Sequence, residues 1–170
     1  MAHVLMVIAP TTFRDEEYDH PKTVLEGRGA RVTTASRSIG PCTGKLGMVA
    51  EATVALADAR ATDYDAVVFV GGGGAETYFD DPAAHALARD AHDKGRVLGA
   101  ICIAPSILAH AGLLRGVRAT AFPSQRDDLI AHGAHWSDGP VEVDGAIVTA
   151  NGPEAARAFG FAVADTLGLP

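Results

Sequence analysis

The chain alternates between unbroken apolar runs and stretches whose apolar residues recur at helical spacing. Val4–Ile8, Ala66–Val70 and Val97–Ile101 are continuous apolar runs, the pattern of strands buried on both faces of a parallel sheet. Arg31–Ala35 reads as a further strand. Between the first two runs, Asp15–Gly29 places Tyr18, Val24 and Leu25 on one helical face and stops at glycine. Asp81–Gly95 carries a full helix signature, with Asp81 as the cap, Pro82 in the first turn and Gly95 as the stop. Further helices are expected over Ser106–Leu114, near Asp127–His132 and over Pro153–Leu167. Ala119–Ala121 is a short strand, and Val141–Val143 and Ile147–Ala150 form a hairpin turned by Asp144-Gly145. The Ile39–Leu56 segment, with its glycine turns, reads as a short hairpin or excursion. The order predicts a single-domain α/β fold over residues 1–170: a doubly wound, mostly parallel, flavodoxin-like sheet with helices on both faces. In such sheets ligands bind beyond the carboxyl ends of the strands.

Three segments meet at that edge: the loop after Ile8, the Gly71–Gly74 loop and Cys102. Cys102 ends the apolar run Val97–Ile101, lies between Ala100 and Ala104, and is followed by Pro105 and a helical pattern. This is a strand–nucleophile–helix elbow with cysteine in place of serine, and its sharp turn requires small residues on either side. A thiol at a helix N-terminus faces unpaired N–H groups and the positive end of the dipole, conditions under which cysteine pKa values fall to roughly 3.5–7.5. Cys102 is therefore the candidate nucleophile, and the N–H of Ile103 is a candidate oxyanion donor. A glycine after the neighbouring strand lets a second N–H approach. Gly71–Gly74 lacks the lysine and hydroxyl residue of a phosphate loop, and Glu76 stands where a dinucleotide fingerprint would need glycine.

Composition narrows the options. The 170 residues carry a net charge of −7, with 21% charged and 48% apolar residues, so a nucleic-acid partner is not expected. No apolar run reaches the roughly 18 residues of a membrane span. The N-terminal sequence lacks the basic start of a signal peptide, and two cysteines 60 positions apart make no disulfide framework; the expected location is the cytoplasm. His132 and His135 have a ligand-like spacing but read as surface residues, so no metal and no cofactor are assigned. Within Arg14-Asp15-Glu16-Glu17, acids at a helix start favour the dipole, and Asp15 and Glu16 read as surface acids.

The chain resembles the DJ-1/PfpI superfamily, which shares the class-I glutamine amidotransferase-like fold. The anchors are Phe13–Pro21, Asp65–Glu76 (DAVVFVGGGGAE), Gly99–Leu114 (GAICIAPSILAHAGLL) and Asn151-Gly152-Pro153. The resemblance implies that Glu17, four residues before Pro21, hydrogen-bonds the elbow sulfur and shuttles protons, and that Gly72 supplies the second oxyanion donor. A carboxyl beside a thiolate resists ionisation, and the two would titrate together. Where PfpI-type members carry histidine after the nucleophile this chain has Ile103, and another histidine position appears as Phe122. Protease activity is therefore not expected. Glu76 matches a glutamate that PfpI-type oligomers bring to a neighbouring subunit's site. Gly152, Pro153 and His20 are further pocket candidates, with an exposed loop the plainer reading of His20. The resemblance implies a cofactor-independent cysteine enzyme of glyoxalase or deglycase type, acting on a small-molecule electrophile in stress protection. It also implies a homodimer or higher homo-oligomer. Oxidation sensing at Cys102, hydratase or hydrolase chemistry on another electrophile, and a binding scaffold are the rival readings.

Overall fold

The computed structural model describes all residues, Met1–Pro170. In chain order the elements are β1 (His3–Val7), β2 (Thr11–Phe13), α1 (Asp15–Gly27), β3 (Arg31–Ser36), β4 (Gly40–Gly44), β5 (Val49–Ala52), β6 (Val54–Ala55), β7 (Ala66–Phe69), α2 (Pro82–Asp93), β8 (Val97–Ile101), α3 (Pro105–His110), β9 (Arg118–Ala119), α4 (Arg126–Ala131), β10 (His135–Trp136), β11 (Val141–Asp144), β12 (Ile147–Ala150) and α5 (Ala156–Thr166). Seven strands make the central sheet in the order β11-β12-β8-β7-β1-β3-β6. All neighbours in it are parallel except β11 and β12, the hairpin turned at Asp144-Gly145.

Burial on both faces explains the unbroken apolar runs. Along β1, Leu5 and Val7 face one core with Val67, Phe69 and Leu98, covered by Leu87 and Ala88 of α2 and Ile107 and Leu108 of α3. Val4, Met6 and Ile8 face the other core with Val68 and Ile101, covered by Leu25 of α1 and Phe159 and Val163 of α5. Successive strand side chains point to opposite faces, so a strand covered twice has no polar side to show.

The excursion over 39–56 is a β4–β5 hairpin that joins β2 in a separate three-stranded sheet. Asp15 ties it down. Its buried carboxylate accepts from the N–H groups of Leu46 and Met48, both at 2.9 Å. Burial alone would raise the Asp15 pKa, but these donors more than offset it and hold the carboxyl below its ordinary range. The expectation of a surface acid is thus corrected: Asp15 fastens the hairpin loop to the start of α1. Two helices start or stop differently from the sequence reading. α3 ends at His110, because Gly112 adopts φ +82° and the Leu113 N–H turns back to the Leu108 carbonyl at 3.0 Å. The closing segment begins as a 3₁₀ turn over Pro153–Ala155 before α5 proper. β9 falls at the start of the strand expected over Ala119–Ala121, one residue earlier, whereas its partner β10 was not foreseen; a strand of two residues leaves no periodicity to read. No helix is long and apolar enough to cross a membrane.

The helices α1 and α5 pack against each other at Gly160, where an added Cβ would lie 2.8 Å from the Pro21 Cα and 3.1 Å from the Val24 Cβ. Helix propensity alone would make Gly160→Ala stabilising by roughly 1 kcal/mol. The contact predicts the opposite, a loss of about 1–3 kcal/mol in urea unfolding, because backbone must move to admit the methyl group.

Candidate active site

The site forms where β1, β7 and β8 end, at the point where the chain reverses direction across the sheet from β1 and β3 to β7 and β8. Cys102 follows β8 directly and has φ +65°, one of two non-glycine residues in the left-handed region. A non-glycine residue held there costs roughly 1–3 kcal/mol and persists only where its surroundings fix it. Here both backbone groups are fixed: the Cys102 N–H donates to the Ala150 carbonyl at 2.9 Å, and its carbonyl accepts from the Phe122 N–H at 2.8 Å. The turn lifts the side chain off the sheet toward the Gly71–Gly72 loop. At Gly71 a Cβ would sit 2.6 Å from the Cys102 Cβ and 2.6 Å from the Ile101 carbonyl oxygen, and would collide with Glu17 Oε1. At Gly72, φ is +96°, and a Cβ would sit 2.6 Å from the Thr12 carbonyl oxygen and collide with the Arg14 nitrogen. Glycine is required at both positions, and the Arg14 N–H donates to the Gly71 carbonyl at 2.9 Å, joining the loop to the start of α1.

That junction carries Glu17 to the sulfur. Glu17 lies in the first turn of α1 and is wholly buried. Neither carboxyl oxygen has a conventional hydrogen-bond partner, and Cys102 is the polar side chain it meets. Burial pushes the Glu17 carboxyl up to about 7, against the lesser influence of Cys102 and the Arg14 guanidinium. The backbone N–H groups of Gly72 and Ile103 face Cys102 Sγ and favour its charged form. Burial first, and then the Glu17 charge, push the thiol up to about 12 despite those donors. The sequence expectation of an acidic thiol is corrected: α3 is only six residues long, and burial and the neighbouring acid outweigh its dipole and raise the thiol pKa. The two groups titrate as one system. Loss of the first proton, near pH 7, leaves one negative charge in the pair, and the like charge opposes loss of the second. Burial and the neighbouring acid hold the thiol proton more tightly than the carboxyl proton, so the first charge falls on Glu17, and the Gly72 and Ile103 N–H groups ease the passage of the thiol proton to that carboxylate.

A cavity of about 260 Å³ opens onto the pair, lined by Arg14, Glu17, Lys45, Gly72, Gly73, Cys102, Ile103, Phe122, Ser124 and Pro153. Of the residues singled out in the sequence, the structure brings together Cys102, Glu17, Gly72, Ile103, Phe122 and Pro153. Gly152 lines an adjoining cleft of about 300 Å³ with Phe122 and Pro153. His20 and Glu76 do not line the cavity; His20 is half-buried elsewhere on α1, and Glu76 is exposed on the 3₁₀ turn after Gly72. No histidine lines the cavity. Sequence reasoning missed Arg14, Lys45 and Ser124, and gave Gly73 no role beyond its place in the Gly71–Gly74 loop. Arg14 is committed to Glu16, with nitrogen–oxygen distances of 2.9–3.2 Å. Lys45 arrives from the β4–β5 loop that Asp15 fastens, and makes no ion pair. No local sequence signal marked it, because the acid that fixes its loop is about 30 positions away in the chain.

Comparison with known proteins gives the family and the fold. The chain belongs to the DJ-1/PfpI family, whose pattern matches residues 2–166. It is similar to an uncharacterised protein of Methanocaldococcus jannaschii, 40% identical over 95% of this chain and 80% of that one. It is also similar to a deglycase of Pyrococcus abyssi, 33% identical over 88% of this chain and 90% of the relative. Among solved structures, a ThiJ/PfpI domain protein from Brachyspira murdochii superposes with a TM-score of 0.96, at 32% identity, covering 98% of this chain and 96% of that one.

The Glu17 environment sets a pH dependence of stability. A carboxyl raised from 4.5 to about 7 binds its proton more tightly in the folded state. Its stabilising contribution is complete below pH 4.5 and is lost as pH rises through 7, by about 3 kcal/mol. Urea titrations at pH 5 and pH 8 should show this loss in the native chain and not in Glu17→Gln. The comparison separates Glu17 from His110, whose pKa is also raised. Equal losses in both chains would mean that Glu17 ionises normally.

Proposed function

We propose that this chain is a cysteine-dependent enzyme acting on small reactive carbonyl compounds, of glyoxalase or deglycase type and independent of a cofactor. The observation that carries the reading is the donor-free, buried Glu17 carboxyl, with its pKa pushed up to about 7, against a sulfur faced by two backbone N–H groups in a small cavity. The deglycase among its relatives supports the same substrate class.

In the proposed reaction on a 2-oxoaldehyde, the Cys102 sulfur adds to the aldehyde carbon. The carbonyl electron pair moves to oxygen beside the Gly72 and Ile103 N–H groups, and the Glu17 carboxylate takes the thiol proton and passes it to that oxygen to complete a hemithioacetal. The Glu17 carboxylate then removes the proton from that carbon and returns one to the adjacent carbonyl carbon, through an enediol. The first carbon is thereby oxidised to a thioester as the second is reduced to an alcohol, with no external oxidant. Water hydrolyses the thioester, giving a 2-hydroxy acid and free Cys102. Lys45, an unpaired cation at the rim, favours electron-rich oxygen there. Peptide hydrolysis fits poorly, because Ile103 offers no proton for a leaving amine. Self-association as a homodimer, with exposed Glu76 toward a second copy, is part of the proposal.

Methylglyoxal is the first substrate to test. Cys102→Ala should abolish turnover, and Glu17→Gln should lower it by about 10²–10⁴-fold; full turnover by Cys102→Ala would end the proposal. A second reading, oxidation sensing, draws on the same protonated carboxyl, which can donate to a sulfinate oxygen. Intact-mass analysis after peroxide should then show two oxygens gained at Cys102 alone and lost in Glu17→Ala, whereas oxidation spread over Cys42 and the methionines would exclude it.

A further inference from the structure

A second cluster of chemically active side chains lies at the far end of α3 from the elbow. His110 closes α3, Asp128 and His132 stand one turn apart at α4, and Asp80 precedes α2. His110 Nε2 lies 2.8 and 3.0 Å from the two Asp128 carboxylate oxygens. His132 Nδ1 lies 3.4 Å from Asp128 Oδ1 and 2.8 Å from the Asp128 backbone oxygen. One ligand atom from each of His110, Asp128 and His132 falls within 4.8 Å of the others. The two imidazole rings stack with centroids 4.6 Å apart.

Those separations suit a small divalent cation. Ligand bonds of 2.0–2.1 Å in tetrahedral geometry put neighbouring ligand atoms roughly 3.3 Å apart. The outer contact is also present. His110 Nδ1 lies 2.7 Å from Asp80 Oδ1, so a carboxylate fixes the ring and turns Nε2 toward the cluster, the carboxylate–histidine–metal arrangement. Neither Asp80 nor Asp128 has a lysine or arginine partner; their ion pairs are with His110 and His132 alone. The cluster is half-buried, which leaves a path for an ion and a place for solvent as a fourth ligand.

We propose that His110, Asp128 and His132 form a binding site for a divalent transition metal of the zinc class, with Asp80 as the outer carboxylate that orients His110. Binding displaces the proton between His110 Nε2 and Asp128, and His132 Nδ1 gives up the hydrogen it donates to the Asp128 backbone oxygen to expose a lone pair, so entry of the ion is coupled to proton movement and release. The site joins three parts of the chain that sequence separates: the turn before α2, the end of α3 and α4. It is independent of Cys102 and of the proposed carbonyl chemistry. It gives His132 a role beyond the surface reading, while His135 stays outside the cluster.

The test is calorimetric titration of the full chain, freed of metal by chelation, with Zn²⁺ alone. One ion per chain should bind, with binding lost in His132→Ala and in Asp128→Asn. Asp80→Asn, at an exposed side chain whose loss threatens no core, should weaken binding by about 10–100-fold. Cys42→Ser and Cys102→Ser should bind as the native chain does, and the Co²⁺ form should show no thiolate charge-transfer band. Absence of saturable binding would overturn the site. So would binding that survives His132→Ala and Asp128→Asn, native affinity in Asp80→Asn, or binding lost with either cysteine.

Discussion

The close approach of three chain segments at Gly71 governs the site. The Cys102 Cβ, the Ile101 carbonyl and the Glu17 carboxyl all press on the space where a side chain at 71 would stand. Removing that side chain lets the end of β7 lie against the elbow after β8 while α1 delivers an acid between them. The left-handed turn at Cys102, the positive φ of Gly72 and the burial of Glu17 follow from this crowding. Each is unfavourable alone. Together they place a polarisable sulfur, two nearby N–H groups and a reluctant acid at the buried floor of the cavity, where their mutual electrostatics are strong.

The surrounding fold supplies the restraint such a site needs. Cys102 is held through its backbone by β12 on one side and by the segment at Phe122 on the other. Glu17 is held because α1 is clamped between the central sheet and α5, with Pro21 seated against Gly160. Asp15, two residues earlier, fixes the hairpin that carries Lys45 to the cavity. The acidic run at the start of α1 thus divides into three jobs: Asp15 accepts backbone N–H groups, Glu16 pairs with Arg14, and Glu17 enters the site.

Much of this was legible along the chain because it is local or periodic. Continuous apolar runs gave the buried strands, Asp81-Pro82 and Gly95 bounded α2, and small residues around Cys102 announced the elbow. What the sequence hid depends on contacts between distant segments. Asp15 and Glu16 are adjacent acids whose fates differ by a partner more than 30 positions away for the first and an arginine two positions away for the second. His20 shares a helix with Glu17 yet lies outside the cavity, since helical rotation and the packing of α5 decide which face is enclosed. The acidity of Cys102 was misread because dipole and N–H donors can be read at an elbow, whereas the depth of burial and the proximity of a second acid cannot. The His110–Asp128–His132 cluster was hidden for the same reason: its ligands come from different helices.

The shared proton of Glu17 and Cys102 is tested most directly by the pH dependence of Cys102 alkylation, followed by mass spectrometry, in the native chain and in Glu17→Gln. The native rate should rise through an inflection near pH 7, where the pair first becomes anionic, and that inflection should disappear when the carboxyl is replaced. A native thiol titrating near the free value of about 8.5, with the same profile in Glu17→Gln, would show that the two groups ionise independently and would contradict the coupled site.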